Sequence, residues 1–262
     1  MSTSSHEVFG APCWVSLLPQ DPVSAQRFYG AVMGWDFRNT PLREGFAVAF
    51  REGTPVAGIG PLAHRPALPV AWTPYFAVDD ADVTAARIRE RGATVAVGPL
   101  TFGTGRAALA ADPDGAVFGF WQGEVIPDWT VGRGGAAAWL ELRTRDAFTA
   151  AIFYGEVLDW AGERPGCCDV AYEHDHVVIR HGNDTVAQLS GGALESDPDP
   201  QVRPRWHVHF HVPDLETAIE TATRLGGKVV SPVQTSPVSR WIALSDPDGA
   251  LFTILAPQDA PR

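Results

Sequence analysis

The chain has 262 residues, of which 45% are hydrophobic and 19% charged, so it can bury a sizeable core and is not a disordered protein. Its 20 Lys and Arg against 31 Asp and Glu give a formal net charge of −11, and no basic run is present, which argues against nucleic-acid binding. No apolar stretch approaches the roughly 20 residues of a membrane helix. Residues 1–10 lack a secretion-signal pattern and the chain has three Cys, so we expect a reduced cytoplasmic protein with no membrane partner.

The first predicted elements are a strand and a helix near the N-terminus. Trp14-Val15-Ser16 begins an apolar strand, and Asp21-Pro22 supplies a helix-capping residue followed by proline in the first turn. Apolar residues then recur at helical spacing until Gly34, a residue typical of a helix end. Residues 72–78 predict a further strand and residues 80–91 a second helix.

The same pattern returns in the second half of the chain. Four features of the first strand and helix recur 125 residues later, as Trp139, Asp146, Phe153-Tyr154 and Trp160. Residues 72–78 recur 134 residues later as 206–212. We infer a duplication in which each copy contains two modules of roughly 50 residues. The predicted domains are residues 1–125 and 136–262, with a glycine-rich linker at 123–135.

The last predicted elements contain a histidine-rich strand and two repeated turns. Alternation along residues 206–212 places His207, His209 and His211 on one face of the strand. Asp214 then begins a helix. The Asp-Pro-Asp-Gly sequences at 112–115 and 246–249 lie between apolar strands, and we interpret them as β-turns rather than as metal ligands.

Together these motifs resemble the vicinal oxygen chelate superfamily, which includes glyoxalase I, bleomycin resistance proteins and extradiol dioxygenases. The resemblance covers residues 12–256 and is closest to tandem-domain, glyoxalase-like proteins of actinobacteria, some of which are linked to antibiotic biosynthesis or labelled hydroxylases. It implies an α+β fold of four βαβββ modules. These modules would pair into two glyoxalase-like domains with half-open β-barrel cavities and with helices outside.

The resemblance also implies four metal-ligand positions in each pair of modules. In the first half these positions fall at Trp14, Thr73, Gly119 and close to Gly58. None of these is a useful ligand, because hard ions need several oxygens or imidazoles. In the second half they fall at Trp139, Gln188, His207 and Thr253. Only His207 and Gln188 are candidate ligands, with His209 as a third, so no cofactor is assigned and a divalent metal in this half stays open.

Alternation along the strands also predicts which side chains line the cavities. The candidates for ligand binding are Trp14, Ser16, Thr73, Tyr75, Trp121, Trp139, Glu141, Gln188, His207, His209 and Trp241. Glu141, His207 and His209 are the candidates for acid–base catalysis. The aromatic residues on or beside the helices are expected to be core, and flat aromatic walls with few polar groups suit a planar ligand.

A second histidine cluster is less specific. Glu173-His174-Asp175-His176, with His181, has metal-like composition, but an exposed polar hairpin explains it as well and it lies outside the family's ligand positions. No Ser or Cys lies in a nucleophile-elbow sequence, and no phosphate-binding loop is present.

Three functions follow from these observations. The first is a small-molecule protein that binds an aromatic or polycyclic metabolite, as a hydroxylase or accessory in antibiotic biosynthesis. The second is a metal-dependent lyase, isomerase or oxygenase that uses His207. The third is a partner-binding scaffold with filled cavities. The duplication is compatible with a monomer as well as with a homodimer.

Overall fold

The computed structural model describes residues 9–40, 45–61, 70–103, 105–127, 129–132, 139–160, 162, 167–173, 175–197, 199 and 201–258. The start of the chain, part of the predicted linker and His174 lie outside these residues. The fold is α+β, as predicted. None of the helices in this part of the chain is long and apolar enough to cross a membrane.

Each of the four modules has one helix, which follows the first strand of that module and begins after an aspartate. The helix bounds are α1 Pro22–Met33, α2 Ala81–Glu90, α3 Ala147–Leu158 and α4 Leu215–Arg224. Each preceding Asp has an extended backbone and accepts a backbone N–H of the first turn, which satisfies a donor that has no partner inside the helix. Gly34 ends α1 at φ 71°, a conformation that favours glycine. The predicted helices and caps are therefore confirmed.

The strands form two sheets. The first contains β1 Pro12–Leu17, β2 Asp36–Asn39, β3 Ala47–Arg51, β4 Thr54–Ile59, β5 Trp72–Ala77, β6 Thr94–Phe102, β7 Gly105–Ala111 and β8 Val117–Gln122. The second contains β9 Trp139–Arg143, β10 Asp169–Glu173, β11 His176–His181, β12 Asp184–Ser190, β13 Arg205–His211, β14 Lys228–Val229, β15 Gln234–Thr235, β16 Ser239–Ser245 and β17 Leu251–Pro257. The strand orders are 2-3-4-1-5-8-7-6 and 10-11-12-9-13-17-16-14, and β15 pairs with β16.

Each of the four modules repeats one pairing. Its first strand runs parallel to its last strand, an arrangement that needs a long crossover, and the helix provides it. The registered pairs are Ser16 with Gly58, Tyr75 with Gly119, Glu141 with Gln188, and His209 with Thr253. These four equivalent pairs confirm the internal duplication. We number the modules one to four in chain order.

The chain divides into two compact units that do not follow the order of the modules. The first unit contains residues Met1–Cys13, Pro74–Asp128 and Leu140–Trp206, which include most of modules two and three. The second contains Trp14–Thr73, Trp129–Trp139 and His207–Arg262, which include most of modules one and four. Helices α2 and α3 pack together in the first unit, and α1 and α4 in the second. The division into domains at residues 125 and 136 stays a prediction.

A series of hydrogen bonds connects buried polar side chains in the core of the first unit. The Trp206 indole donates to the Tyr154 hydroxyl at 2.9 Å, and that hydroxyl donates to the Asp112 carboxylate at 3.0 Å. The other oxygen of Asp112 accepts the backbone N–H groups of Asp114 and Ala116. Burial raises the pKa of Asp112 to about 6, although these hydrogen bonds oppose the shift.

The second unit contains an equivalent series of hydrogen bonds. Trp72 donates to Tyr29 and Tyr29 to Asp246, both at 3.0 Å, while the N–H of Ala250 donates to the other Asp246 oxygen. The Asp-Pro-Asp-Gly sequences are thus turns, as predicted, whose first aspartate also binds a core tyrosine. The hydrogen bond between Asp112 and Tyr154 joins module two to module three, and the one between Asp246 and Tyr29 joins module four to module one.

Candidate functional site

A group of polar side chains lies on one face of module three. Its members are Glu141 and Arg143 on β9, Gln188 and Ser190 on β12, and His176 on β11; we call them the module-three array. The register places Glu141 opposite Gln188, Arg143 opposite Ser190, and Ser190 opposite His176. Since residues in register project on the same side of a sheet, the array occupies one face.

Hydrogen bonds connect the array. The Gln188 amide nitrogen donates to Ser190 Oγ at 3.3 Å, and Ser190 Oγ lies 3.2 Å from His176 Nδ1. Arg143 Nη1 lies 3.9 Å from Glu141 Oε1. Ser190 is only 2% exposed, whereas His176 is exposed and the other three side chains are half-buried. The array therefore has a fixed polar interior and an accessible rim.

The equivalent positions of module one carry no such group. They hold Ser16, Leu18, Phe46, Gly58 and Gly60, which precede their module-three counterparts by 125 or 130 residues. A Cβ atom at Gly58 would lie 2.9 Å from Trp14 Nε1 and would also meet the Phe46 ring. A Cβ at Gly60 would lie 2.8 Å from Phe46 Cα. The aromatic side chains thus occupy the space that Gln188 and Ser190 take in module three.

Sequence reasoning missed a residue that completes this packing. Trp129, from the predicted linker, places its ring centroid 5.7 Å from that of Trp14 and donates its indole N–H to the Val56 carbonyl at 3.0 Å. Trp129 is buried, as is Val131 beside it. The apolar pair within a polar, glycine-rich segment is the signal that could have identified this anchor.

Modules two and four show the same contrast. In module two, the Tyr75 ring covers Gly119 and the Trp121 ring covers Gly105, and the Trp121 indole donates to the Glu124 carbonyl. Module four has His209 opposite Thr253 in place of the tyrosine and glycine. Desolvation lowers the pKa of His209 to about 4, so its imidazole is neutral at pH 7.

The structure places the remaining sequence-predicted site residues as follows. Alternation of β13 is confirmed, because Trp206, Val208 and Phe210 are buried while His207 and His209 are half-buried. Thr73 is buried and its hydroxyl donates to the Ala71 carbonyl. Trp139 is half-buried, as is Trp241, which lies opposite Gln234 and Leu255. Ser16 is buried, and its roles and those of the other candidates stay predictions.

Few side chains at the family ligand positions can bind a divalent metal. In the first half, Gly58 and Gly119 offer no side chain and aromatic rings fill the adjacent space, so a metal does not fit there. In the second half only Gln188 and His207 are donors at the family positions, fewer than the three of a usual catalytic site. Within the residues that the structure describes, no group of three His, Cys, Asp or Glu could hold a metal.

Comparison with known proteins identifies the family. The model of the glyoxalase-like domain matches residues 139–255. The "Putative glyoxylase CFP32" of Mycobacterium tuberculosis (strain CDC 1551 / Oshkosh) is 32% identical over 256 residues, which cover 95% of each chain. The "Anthracycline biosynthesis protein DnrV" of Streptomyces peucetius is also 32% identical, over 94% of this chain and 93% of its own.

Solved structures agree on the fold. The Mn(II)-bound glyoxalase from Novosphingobium aromaticivorans aligns with a TM-score of 0.56 and 15% identity, over 95% of this chain and 82% of that chain. A variant of homoprotocatechuate 2,3-dioxygenase from Brevibacterium fuscum aligns with a TM-score of 0.58 and 15% identity, over 99% and 76%. The repeated modules and the full-length relatives lead to one assignment: the chain belongs to the glyoxalase-like proteins of the vicinal oxygen chelate superfamily.

Proposed function

We propose that this chain binds an aromatic or polycyclic metabolite through its C-terminal half and serves in the biosynthesis of an aromatic antibiotic. The observation that carries this proposal is the difference between modules one and three. Module three presents five polar side chains at positions where module one has an apolar, absent or small one. Since the two modules share a register, this difference is not required by the fold.

The chemistry of the second half suits such a ligand. Small-molecule sites combine apolar surface with a few placed polar groups. The module-three array supplies a carboxylate, a guanidinium, an amide, a hydroxyl and an imidazole. Trp139, two residues before Glu141 on β9, is half-exposed, as expected of a ring that stacks on a planar ligand. The relative named for anthracycline biosynthesis supports a polycyclic aromatic as the ligand class.

Binding can be measured with 1,3-dihydroxyanthraquinone by quenching of tryptophan fluorescence. We expect saturable binding with one site per chain. Glu141→Ala should weaken it about tenfold, the usual loss when one hydrogen bond to a charged group is removed. The control is Glu90→Ala, at an exposed glutamate of α2 outside the candidate residues, which should leave the affinity unchanged. Absence of binding to the unaltered protein, or equal losses in both variants, would overturn the proposal.

A metal-dependent lyase, isomerase or oxygenase is the second candidate, because His207 and Gln188 both lie at family ligand positions. The test is a native mass spectrum of the purified protein before and after a chelator. We expect no stoichiometric divalent ion. An ion that leaves with the chelator and is missing from His207→Ala would show a metal site at His207 and direct the search to lyase, isomerase and oxygenase substrates.

A further inference from the structure

We propose that the module-three array recognises two hydroxyl groups in meta relation on one aromatic ring, with Glu141 and Gln188 as the paired acceptors. This inference rests on the proposed function and specifies its ligand. Glu141 and Gln188 face each other across parallel strands and have side chains of equal length. Equal side chains from opposed positions present their ends about one strand spacing apart, roughly 4.8 Å.

Each of the two side chains contacts a residue two positions further along its own strand. Glu141 approaches Arg143 on its own strand, and Gln188 approaches Ser190 on its own strand. Arg143 and Ser190 are themselves opposite each other. Because the strands are parallel, the two contacts run in the same direction along the sheet. The strand spacing of roughly 4.8 Å corresponds to meta substituents on a ring and is too wide for ortho substituents.

Hydrogen bonding decides which end of the Gln188 amide is offered to a ligand. The amide nitrogen donates to Ser190 Oγ, so the Ser190 hydroxyl proton is available for His176 Nδ1. With its nitrogen bound, Gln188 presents its carbonyl oxygen, which only accepts hydrogen bonds. The Glu141 carboxylate is also an acceptor. The pair therefore selects hydrogen-bond donors, and hydroxyl groups fit where ether oxygens do not.

Ser190 and His176 act in this scheme as positioning residues. Ser190 is buried and bonds both Gln188 and His176, so it connects the exposed imidazole to the amide. Without the Ser190 hydroxyl, the amide can rotate and present its nitrogen, which would bond an ether oxygen as readily as a hydroxyl. The orientation of the amide, and hence the discrimination, depends on this hydroxyl.

The experiment is isothermal titration calorimetry with three probes: 1,3-dihydroxynaphthalene, its 2,3-isomer and 1,3-dimethoxynaphthalene. We expect the 1,3-diol to bind at least about tenfold more tightly than either of the others, as the loss of one or two hydrogen bonds implies. Ser190→Ala should reduce this preference about three- to tenfold without weakening binding of the dimethoxy compound. Ser190→Thr, which retains the hydroxyl, should restore the preference.

The outcomes separate this inference from the proposed function. Equal affinity for the three probes, or no binding of them by a protein that binds the anthraquinone, overturns the inference and leaves the proposed function intact. No binding of any aromatic probe overturns both. If Ser190→Thr does not fold, Gln188→Leu takes its place, and an unchanged preference in that variant overturns the inference. Ser24→Ala, at an exposed serine of α1 outside the candidate residues, is the control and should change no affinity.

Discussion

Modules one and three have the same strand order and the same register, yet their equivalent faces have opposite chemistry. In module one, Phe46 and Trp14 cover two glycines, and Trp129 packs behind them. In module three the glycines are replaced by Gln188 and Ser190, which are hydrogen-bonded rather than covered. The pairing of β1 with β4, and of β9 with β12, therefore needs little from these side chains. They are free either to stabilise the fold or to bind a ligand.

The largest effect is expected when the residue of one module is placed in the other. Gly58→Gln should destabilise the protein by about 3 kcal/mol, because its side chain meets the Phe46 ring and the Trp14 indole and forces them to move. The reciprocal change, Gln188→Gly, should cost less than about 1 kcal/mol, since Gln188 is half-buried. Urea unfolding measures both. Equal costs would show that the two faces are not packed differently.

A smaller effect on stability is expected at the buried hydrogen bond between an aspartate and a tyrosine, which both units contain. The folded-state pKa of Asp112, about 6, lies above its ordinary value of 3.8, so the folded protein binds this proton more tightly than the unfolded chain does. The resulting stabilisation is complete below about pH 4 and is lost as the pH rises through 6, up to about 3 kcal/mol. Asp112→Asn should remove this dependence. Between pH 4 and pH 7, the free energy of unfolding should therefore change by less in the variant than in the parent.

Asp246→Asn provides the matched comparison, because burial also raises the pKa of Asp246, which binds Tyr29. It should change the pH profile in the same direction. A profile unaffected by either substitution would mean that these carboxyl groups titrate alike in the folded and unfolded chains.

The contribution of His209 to the pH dependence of stability should have the opposite sign. Its folded pKa of about 4 lies below the ordinary 6.5, so the unfolded chain binds the proton more tightly. The contribution of the neutral imidazole is complete above about pH 6.5 and is lost as the pH falls towards 4, by about 2 kcal/mol after allowance for its partial exposure. His209→Gln should lessen the acid sensitivity of urea unfolding. A slope unchanged in His209→Gln would contradict the assignment.

The smallest effect concerns the linker anchor. Trp129→Phe retains a ring against Trp14 but loses the hydrogen bond to the Val56 carbonyl, which should cost about 1 kcal/mol. Trp241→Phe, at a half-exposed position of module four, should cost less. Thermal unfolding monitored by circular dichroism distinguishes the two. Similar shifts of the unfolding temperature in both variants would show that Trp129 stabilises the protein no more than the half-exposed Trp241 does.

Local signals were sufficient to predict much of the fold. The four capping aspartates predicted where the helices begin, since a cap depends on residues within one turn. Alternation predicted the half-buried face of β13 because it depends only on the geometry of a strand. Position-by-position comparison of the copies also identified Gly58 and Gln188 as equivalent.

Contacts between distant residues could not be predicted in the same way. Tyr29 and Asp246 are 217 residues apart, and nothing near either residue indicates that they bond. The motifs that contain them were therefore interpreted separately, as core and as turn. The sequence did not predict that Phe46 and His176 are equivalent, because this equivalence depends on the register of β3 with β4 and of β11 with β12. That register is set by whole strands rather than by the two residues.

The glycine at position 58 also has an evolutionary consequence. Any larger residue there meets the Phe46 ring, and Phe46 in turn lies against Gly60, so no single substitution can convert the face of module one into that of module three. Reversal requires simultaneous changes, of which the first alone lowers stability. Packing therefore limits which residues this face of module one can accept, and the half-buried Gln188 leaves the equivalent face of module three less constrained.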